Sequence, residues 1–151
     1  MEGMLKPGSL KDRTIIVTGG GTGLGRSMGK YFLELGANLV ITSRKLDVLN
    51  KAAAEMKQQT GGNVLAVECD VRKYEQVENV IRSAEKEFGQ VHGILNNAAG
   101  NFISPTERLS HRAFDIVVDI VLKGTDSTTL AAGQNRISKK QTGTFTNIVT
   151  T

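Results

Sequence analysis

Cysteine occurs once in this 151-residue chain, at Cys69, and proline only twice. A lone thiol excludes an internal disulfide framework and fits a reducing compartment, so a packed core must hold the chain together. No apolar run approaches the length needed to span a bilayer, and the opening stretch MEGMLKPGSLKDR has no apolar segment for secretion. The expected setting is therefore cytoplasmic, with no membrane partner. Internal repeats and low-complexity runs are also missing. The hydrophobic fraction of 39% and the charged fraction of 23% are ordinary for a soluble protein. A chain of this length can bury one core, but not two. The net charge of +4 is spread over helical faces and makes no case for a nucleic-acid partner.

What is present is an alternation of patterns. Thr14–Gly19 is a short apolar run closed by glycine, and the period from Leu24 through Met28, Tyr31, Phe32 and Leu35 predicts a helix ended by Gly36. Asn38–Ser43 reads as a second strand. An amphipathic helix follows over 45–59, broken by Gly61 and Gly62, and Asn63–Cys69 is a third strand with Asp70 at its tip. Val77, Val80, Ile81 and Ala84 mark another helix, closed near Gly89, and Val91–Asn97 supplies a fourth strand. A loop containing Pro105 leads to a long helix that starts near Ser110 and carries Phe114, Val117, Val118, Val121 and Leu122. Thr144–Val149 predicts a fifth, buried strand. Elements in this order indicate an α/β fold with a doubly wound parallel sheet.

The loop after the first strand, Thr18-Gly19-Gly20-Gly21-Thr22-Gly23-Leu24-Gly25, has the chemistry of a dinucleotide site. Glycines permit a tight turn and a close approach of backbone to pyrophosphate, and a helix start offers free N–H groups to anionic oxygens. Glycine-rich turns also join strands to helices for packing alone. Here the strand, the turn and the helix stand in the order that the motif requires. No Gly-Lys-Ser/Thr follows, which disfavours a P-loop. After the second strand comes Ser43-Arg44-Lys45, at a place where a carboxylate would favour NAD by binding the ribose 2′-hydroxyl. A guanidinium there suits the 2′-phosphate of NADP(H). The plainer reading is that Arg44 and Lys45 open a solvated helix, although a basic pair is unfavourable beside a helix N-terminus.

The spacing T-G-x-x-x-G-x-G resembles that of the short-chain dehydrogenase/reductase family, and ILNNAAGNF (Ile94–Phe102) resembles its N-N-A-G signature. The longer stretches NNAAGNF, SPTERLS, DIVLKGT, TSRKLDVL and CDVR are similar to the 2,4-dienoyl-CoA reductase branch, from about Lys11 onward. Val121, three residues before Gly124, stands where commoner members place a catalytic Asn, and that branch shares the valine. The resemblance implies a Rossmann fold, NADP(H) as cofactor, and reduction of 2,4-dienoyl-CoA thioesters in unsaturated fatty acid β-oxidation, with an acyl-CoA as substrate. It implies that Asp70 meets the adenine amino group, with Val71 beside the ring, and that Asn97, Ala98, Ala99 and Gly100 let the nucleotide approach closely.

The same resemblance makes Asn101 a donor to the thioester carbonyl oxygen, where charge gathers as hydride arrives. Arg72, Phe102 and Ser110 match positions that border the acyl-CoA, and Thr151 matches the catalytic serine of commoner members. Each has a bland alternative. Asp70 can be a turn or cap residue, Asn101 a turn residue, and Arg72, Phe102 and Ser110 ordinary surface. His92 and His111 lack zinc-ligand spacing and are expected to be surface or packing residues, with no metal. Cys69 is expected to be a small buried apolar residue.

In that branch a tyrosine stands two residues after VTT, with a serine and a lysine further on. Residues 1–151 are thus expected to form an NADP-binding Rossmann domain that stops after its fifth strand, short of the tyrosine and lysine, and not to turn over unaided. The fifth strand is expected to expose an unpaired edge. Asp126, Gln134 and Asn135 are expected to interrupt a last helix that is mostly apolar on its buried face in relatives. A homo-oligomer is expected of the full-length form, and the mitochondrial matrix is open to relatives. The competing expectations are a truncated paralogue that binds nucleotide or a partner subunit without catalysis, and another short-chain reductase acting on an enoyl or carbonyl substrate.

Overall fold

The computed structural model describes residues 5–100 and 105–149. At its centre lies a parallel sheet of five strands in the order β3-β2-β1-β4-β5. The strands are β1 (Thr14–Thr18), β2 (Asn38–Ser43), β3 (Val64–Glu68), β4 (Val91–Asn96) and β5 (Thr144–Asn147). The crossovers of the first half are α1 (Gly23–Glu34), α2 (Leu46–Thr60) and α3 (Tyr74–Phe88). After β4, a short 3-10 turn (Thr106–Arg108) precedes α4 (His111–Val118) and α5 (Gly124–Lys139). These two helices are continuous through a π-helical segment, Asp119–Lys123.

Helices cover both faces of the sheet, and the central strands are therefore apolar on both faces. Successive side chains point to opposite sides. Val17, Leu39, Ile41 and Leu95 pack with Leu33, Leu49 and Met56 beneath α1 and α2. Ile16, Val40 and Ile94 face the other way and pack with Val77, Val80, Ile81, Ala84 and Ala131 from α3 and α5. Each fully buried side chain of this size contributes roughly 1.5–3 kcal/mol of transfer free energy. The strand order reverses beside β1, which lies between β2 and β4. In such a sheet the crevice outside the carboxyl ends of the strands at that point is where ligands sit.

Two expectations are corrected. The fifth strand forms, but it is short and largely exposed, with only Phe145 half-buried. Only β4 pairs with it among the described residues, so one of its edges meets no strand. Asp126, Gln134 and Asn135 do not spoil the buried face of the last helix. Asp126 and Gln134 are exposed. Gln134 accepts from the Tyr74 hydroxyl at 3.1 Å, and Asn135 donates to Glu85 at 3.3 Å, so the two link α5 to α3.

The polar residues buried in α5 are different ones. Thr128 donates its hydroxyl to Asn96 Oδ1 at 2.6 Å, and Asn96 Nδ2 donates to Asn147 Oδ1 at 2.9 Å. That chain ties α5, β4 and β5 together. Arg136 is 6% exposed. It donates to the Val91 carbonyl at 3.3 Å and lies over the Phe145 ring, 4.6 Å from the centroid. Its Nε and Nη1 have no hydrogen-bond partner among the described residues.

Candidate functional site

β1 ends at Thr18, whose buried hydroxyl accepts the backbone N–H groups of Asn97 at 3.0 Å and Ala98 at 2.9 Å. Asn97 completes the clasp by donating from Nδ2 to the Thr18 carbonyl at 3.0 Å. Across the loop, the Gly19 and Gly20 N–H groups both donate to the Thr42 carbonyl, at 2.7 and 3.3 Å. The glycine loop is thus held between the ends of β2 and β4. Gly19 has a φ of +67°, in the left-handed region that side chains with a Cβ rarely adopt. At Gly25 a Cβ would lie 2.5 Å from the Gly19 carbonyl oxygen, so α1 can press against the loop only as glycine. α1 begins at Gly23, Thr22 makes no side-chain cap, and the first turn holds no acidic residue. Its first N–H groups, with the positive end of the helix dipole, are left for an external anion.

In front of this loop lies a cavity of about 340 Å³. Gly19, Gly21 and Thr22 form its loop wall, Ser43, Arg44 and Lys45 its β2 wall, and Asp70 and Val71 its β3 wall. Ala98 and Ala99 close the β4 side. The structure therefore brings most of the expected nucleotide residues to one crevice. The others stand around it. Gly20 packs against Ile41, Gly25 against Gly19 and Gly100 against Ile120. Asn97 fixes the loop, Gly23 opens α1, and Leu24 points outward with 68% exposure. Ser110 caps α4, its hydroxyl accepting from the Ala113 N–H at 3.2 Å. Asn101, Phe102 and Thr151 lie outside the described residues.

Four residues of the site carried no assigned role in the sequence. Thr18 is the clasp. Thr42, Val48 and Ile120 line the cavity. The position of Thr18 before the glycines was its signal, whereas Ile120 reaches the cavity from the π-helical segment and had none.

The charges are arranged with some asymmetry. Asp70 is held by Arg72, whose Nε lies 2.9 and 3.1 Å from the two carboxylate oxygens and whose Nη2 lies 2.5 Å from Oδ2. This hydrogen bonding holds the Asp70 carboxyl below its ordinary range, and the carboxylate raises the Arg72 guanidinium in turn. Arg44 and Lys45 are exposed and take part in no ion pair among the described residues. Ser43 Oγ accepts the Lys45 N–H at 3.4 Å. Cys69 lines the cavity, buried as expected, and burial pushes its thiol up to about 11. It stays protonated near neutral pH and is no nucleophile. Among the described residues no group of three or more His, Cys, Asp or Glu side chains is placed to hold a metal. Nor is any of their helices long and apolar enough to cross a membrane.

A glycine cradle, a helix start without a side-chain cap and two cations that form no ion pair among the described residues fit an anionic dinucleotide. Residues 13–151 match the family of short chain dehydrogenases. The chain belongs to the short-chain dehydrogenase family. It is 44% identical, over 97% of its length, to an uncharacterized oxidoreductase of Caenorhabditis elegans, and covers 47% of that protein. It is 40% identical, over 96% of its length, to a probable 2,4-dienoyl-CoA reductase of the same organism, again covering 47% of it. Among solved structures, a short chain dehydrogenase from Bacillus anthracis superposes with a TM-score of 0.87 at 38% identity, over 93% of this chain and 58% of that one. The chain thus spans about half the length of the curated relatives it matches. The doubly wound short-chain dehydrogenase fold and the likeness to dienoyl-CoA reductases agree with what the motifs implied.

Proposed function

We propose that this chain is the nucleotide-binding part of an NADP(H)-dependent reductase of 2,4-dienoyl-CoA thioesters. The observation that carries the cofactor choice is the β2 wall of the cavity, where Arg44 and Lys45 stand without ion-pair partners among the described residues. A guanidinium at that point attracts a 2′-phosphate, and a carboxylate would repel it. The likeness to a named dienoyl-CoA reductase supports the substrate class.

Bound in the cavity, the nicotinamide nucleotide supplies a hydride. The glycine loop and the α1 start hold the pyrophosphate, and Arg44 with Lys45 hold the 2′-phosphate. Asn101 donates its amide N–H to the thioester oxygen, stabilising the dienolate charge that forms there as hydride reaches the far end of the diene. The proton that completes the reduction would come from the tyrosine that the branch carries two residues after the VTT stretch. By the same likeness Arg72, Phe102 and Ser110 would border the acyl-CoA, and Thr151 stands in the sequence where commoner family members carry a catalytic serine.

The cofactor part is tested by titrating the chain with NADPH and NADH and following nucleotide fluorescence. NADPH is expected to bind at least about tenfold more tightly, and Arg44→Ala to erase most of that margin. Equal binding of the two nucleotides would overturn it. The substrate part is tested with the natural full-length polypeptide and 2,4-hexadienoyl-CoA, where Asn101→Ala should cut NADPH oxidation by ~10²-fold or more. Oxidation with a different enoyl or carbonyl substrate, and none with the dienoyl thioester, would move the assignment to another reductase.

A second reading is a nucleotide-binding paralogue without catalysis. The observation on its side is Arg136, whose buried Nε and Nη1 have no hydrogen-bond partner among the described residues, a cost to stability with no part in the nucleotide site. Intact mass of the natural polypeptide separates the two. A mass matching only these 151 residues would support the paralogue, and about twice that mass the reductase.

Subunit pairing through the continuous run from α4 through the π-helical segment to α5 belongs to the same proposal. Phe114, Leu122, Leu130 and Ile137 expose apolar side chains along it, at 60, 67, 47 and 79%. Sedimentation of the full-length protein with and without Ile137→Glu tests this, and an unchanged mass in both would count against it.

A further inference from the structure

Resting on the NADP(H) reading above, we propose that Arg72 is a positioning residue for nucleotide choice: its fork holds the Asp70 carboxylate and so leaves Arg44 free for the 2′-phosphate. The cavity wall that presents Arg44 and Lys45 also presents Asp70. A bare carboxylate there works against the preference twice. It repels a phosphate, and it offers Arg44 a partner inside the protein. The Arg44 charge does reach the Asp70 carboxyl. Yet no ion pair forms between Arg44 and Asp70, and Arg72 makes one instead.

The geometry of that pair is well suited to the task. Arg72 Nε meets both carboxylate oxygens, at 2.9 and 3.1 Å, Nη2 adds a bond of 2.5 Å to Oδ2, and the Arg72 backbone N–H lies 3.1 Å from Oδ1. The Asp70 N–H is itself anchored to Gln76 Oε1 at 2.8 Å, so the backbone beneath the carboxylate is fixed as well. The Asp70 side chain is 14% exposed and that of Arg72 35%, so the carboxylate is the more enclosed of the two. A planar guanidinium can engage both oxygens at once, and an ammonium cannot do so in the same way.

The test measures NADPH and NADH dissociation constants by nucleotide fluorescence for the unmodified chain, Arg72→Gln, Arg72→Lys, Asp70→Asn and the Asp70→Asn/Arg72→Gln pair. Arg72→Gln is expected to lower the preference for NADPH about tenfold while NADH affinity holds. The retained NADH affinity shows that the cavity is intact, which a merely structural role for Arg72 would not give. Arg72→Lys should lose part of the preference. Adding Asp70→Asn to Arg72→Gln should restore it, because the neutral amide no longer competes with the phosphate. If Arg72→Gln leaves the preference unchanged, or Asp70→Asn fails to restore it, Arg72 does not act through Asp70. If the unmodified chain shows no preference at all, the NADP(H) reading itself falls and takes this inference with it.

Discussion

The Thr18 hydroxyl holds Asn97 in place, accepting its backbone N–H at 3.0 Å while the Asn97 amide donates back to the Thr18 carbonyl at 3.0 Å. The same hydroxyl takes the Ala98 N–H at 2.9 Å. One side chain therefore joins the glycine loop after β1 to the turn after β4. Thr18→Val keeps the shape and removes the acceptor, leaving two N–H groups unmet. The expected loss is about 1–3 kcal/mol of stability by urea unfolding, with weaker NADPH binding. Thr18→Ser should keep both. If the valine variant matches the unmodified chain in both measurements, the clasp has no energetic role.

Thr128 and Asn96 make the corresponding test in the interior. Both are 4% exposed, and their bond is 2.6 Å long. Thr128→Val leaves Asn96 Oδ1 without that donor, and a destabilisation of about 1–3 kcal/mol is expected. Asn147 shares Asn96, so hydrogen exchange of the β5 amides should quicken in the same variant. Unchanged exchange there would show that Asn96 holds β5 without help from α5.

Arg136 predicts an effect of the opposite sign. Its charge is buried without a carboxylate partner among the described residues, and desolvation lowers its affinity for a proton. An unbranched apolar side chain keeps the packing on Phe145 and dispenses with the desolvation cost. Arg136→Met is expected to raise stability by about 1–3 kcal/mol, read as a higher urea midpoint. A lower midpoint would mean that the ring contact and the bond to Val91 outweigh burial.

His92 gives the fold a dependence on pH. Its Nδ1 accepts the Thr14 N–H at 3.1 Å, which only an unprotonated nitrogen can do. Burial lowers its proton affinity first, and the Arg13 and Arg136 charges lower it further, against a small opposing pull from Gln90. The unfolded chain therefore takes up this proton before the folded one does. The stability contributed is full above the ordinary value of 6.5 and is lost as pH falls below it. Asp70, held down by Arg72, adds a second loss of the same direction below 3.8. Thermal unfolding across pH should show the first step, and His92→Asn, whose amide oxygen can still accept from Thr14, should remove it. A step that survives in His92→Asn belongs to another group.

The alternation of strands and helices was readable because β1 and β2 are buried on both faces, so their apolar runs are uninterrupted, while α2 and α3 keep one polar face. The glycine loop was readable because its chemistry requires both residue types and order. β5 misled for a physical reason. Thr, Ile, Val and Phe favour strands wherever they lie, but whether a strand is buried depends on what covers it, and local composition does not record that. The π-helical segment was hidden because residue composition does not distinguish a turn closed i→i+5 from one closed i→i+4. Arg136 was hidden as well, since one turn of helix decides between a solvated and a buried position. At Ser110 local sequence does not reveal the helix cap that its hydroxyl makes in the structure.

The order β3-β2-β1-β4-β5 also bears on synthesis. β1, β2 and β3 leave the ribosome in succession and can pair as they appear, with α1 and α2 folding over one side. The other edge of β1 has to wait. Its partner β4 is separated from it by three crossovers, through α1, α2 and α3, so an apolar strand with a row of unpaired amides stays open until α3 has been made. A nascent chain paused in α3 should therefore be the species most dependent on chaperones, and one paused beyond β4 should be released from that dependence.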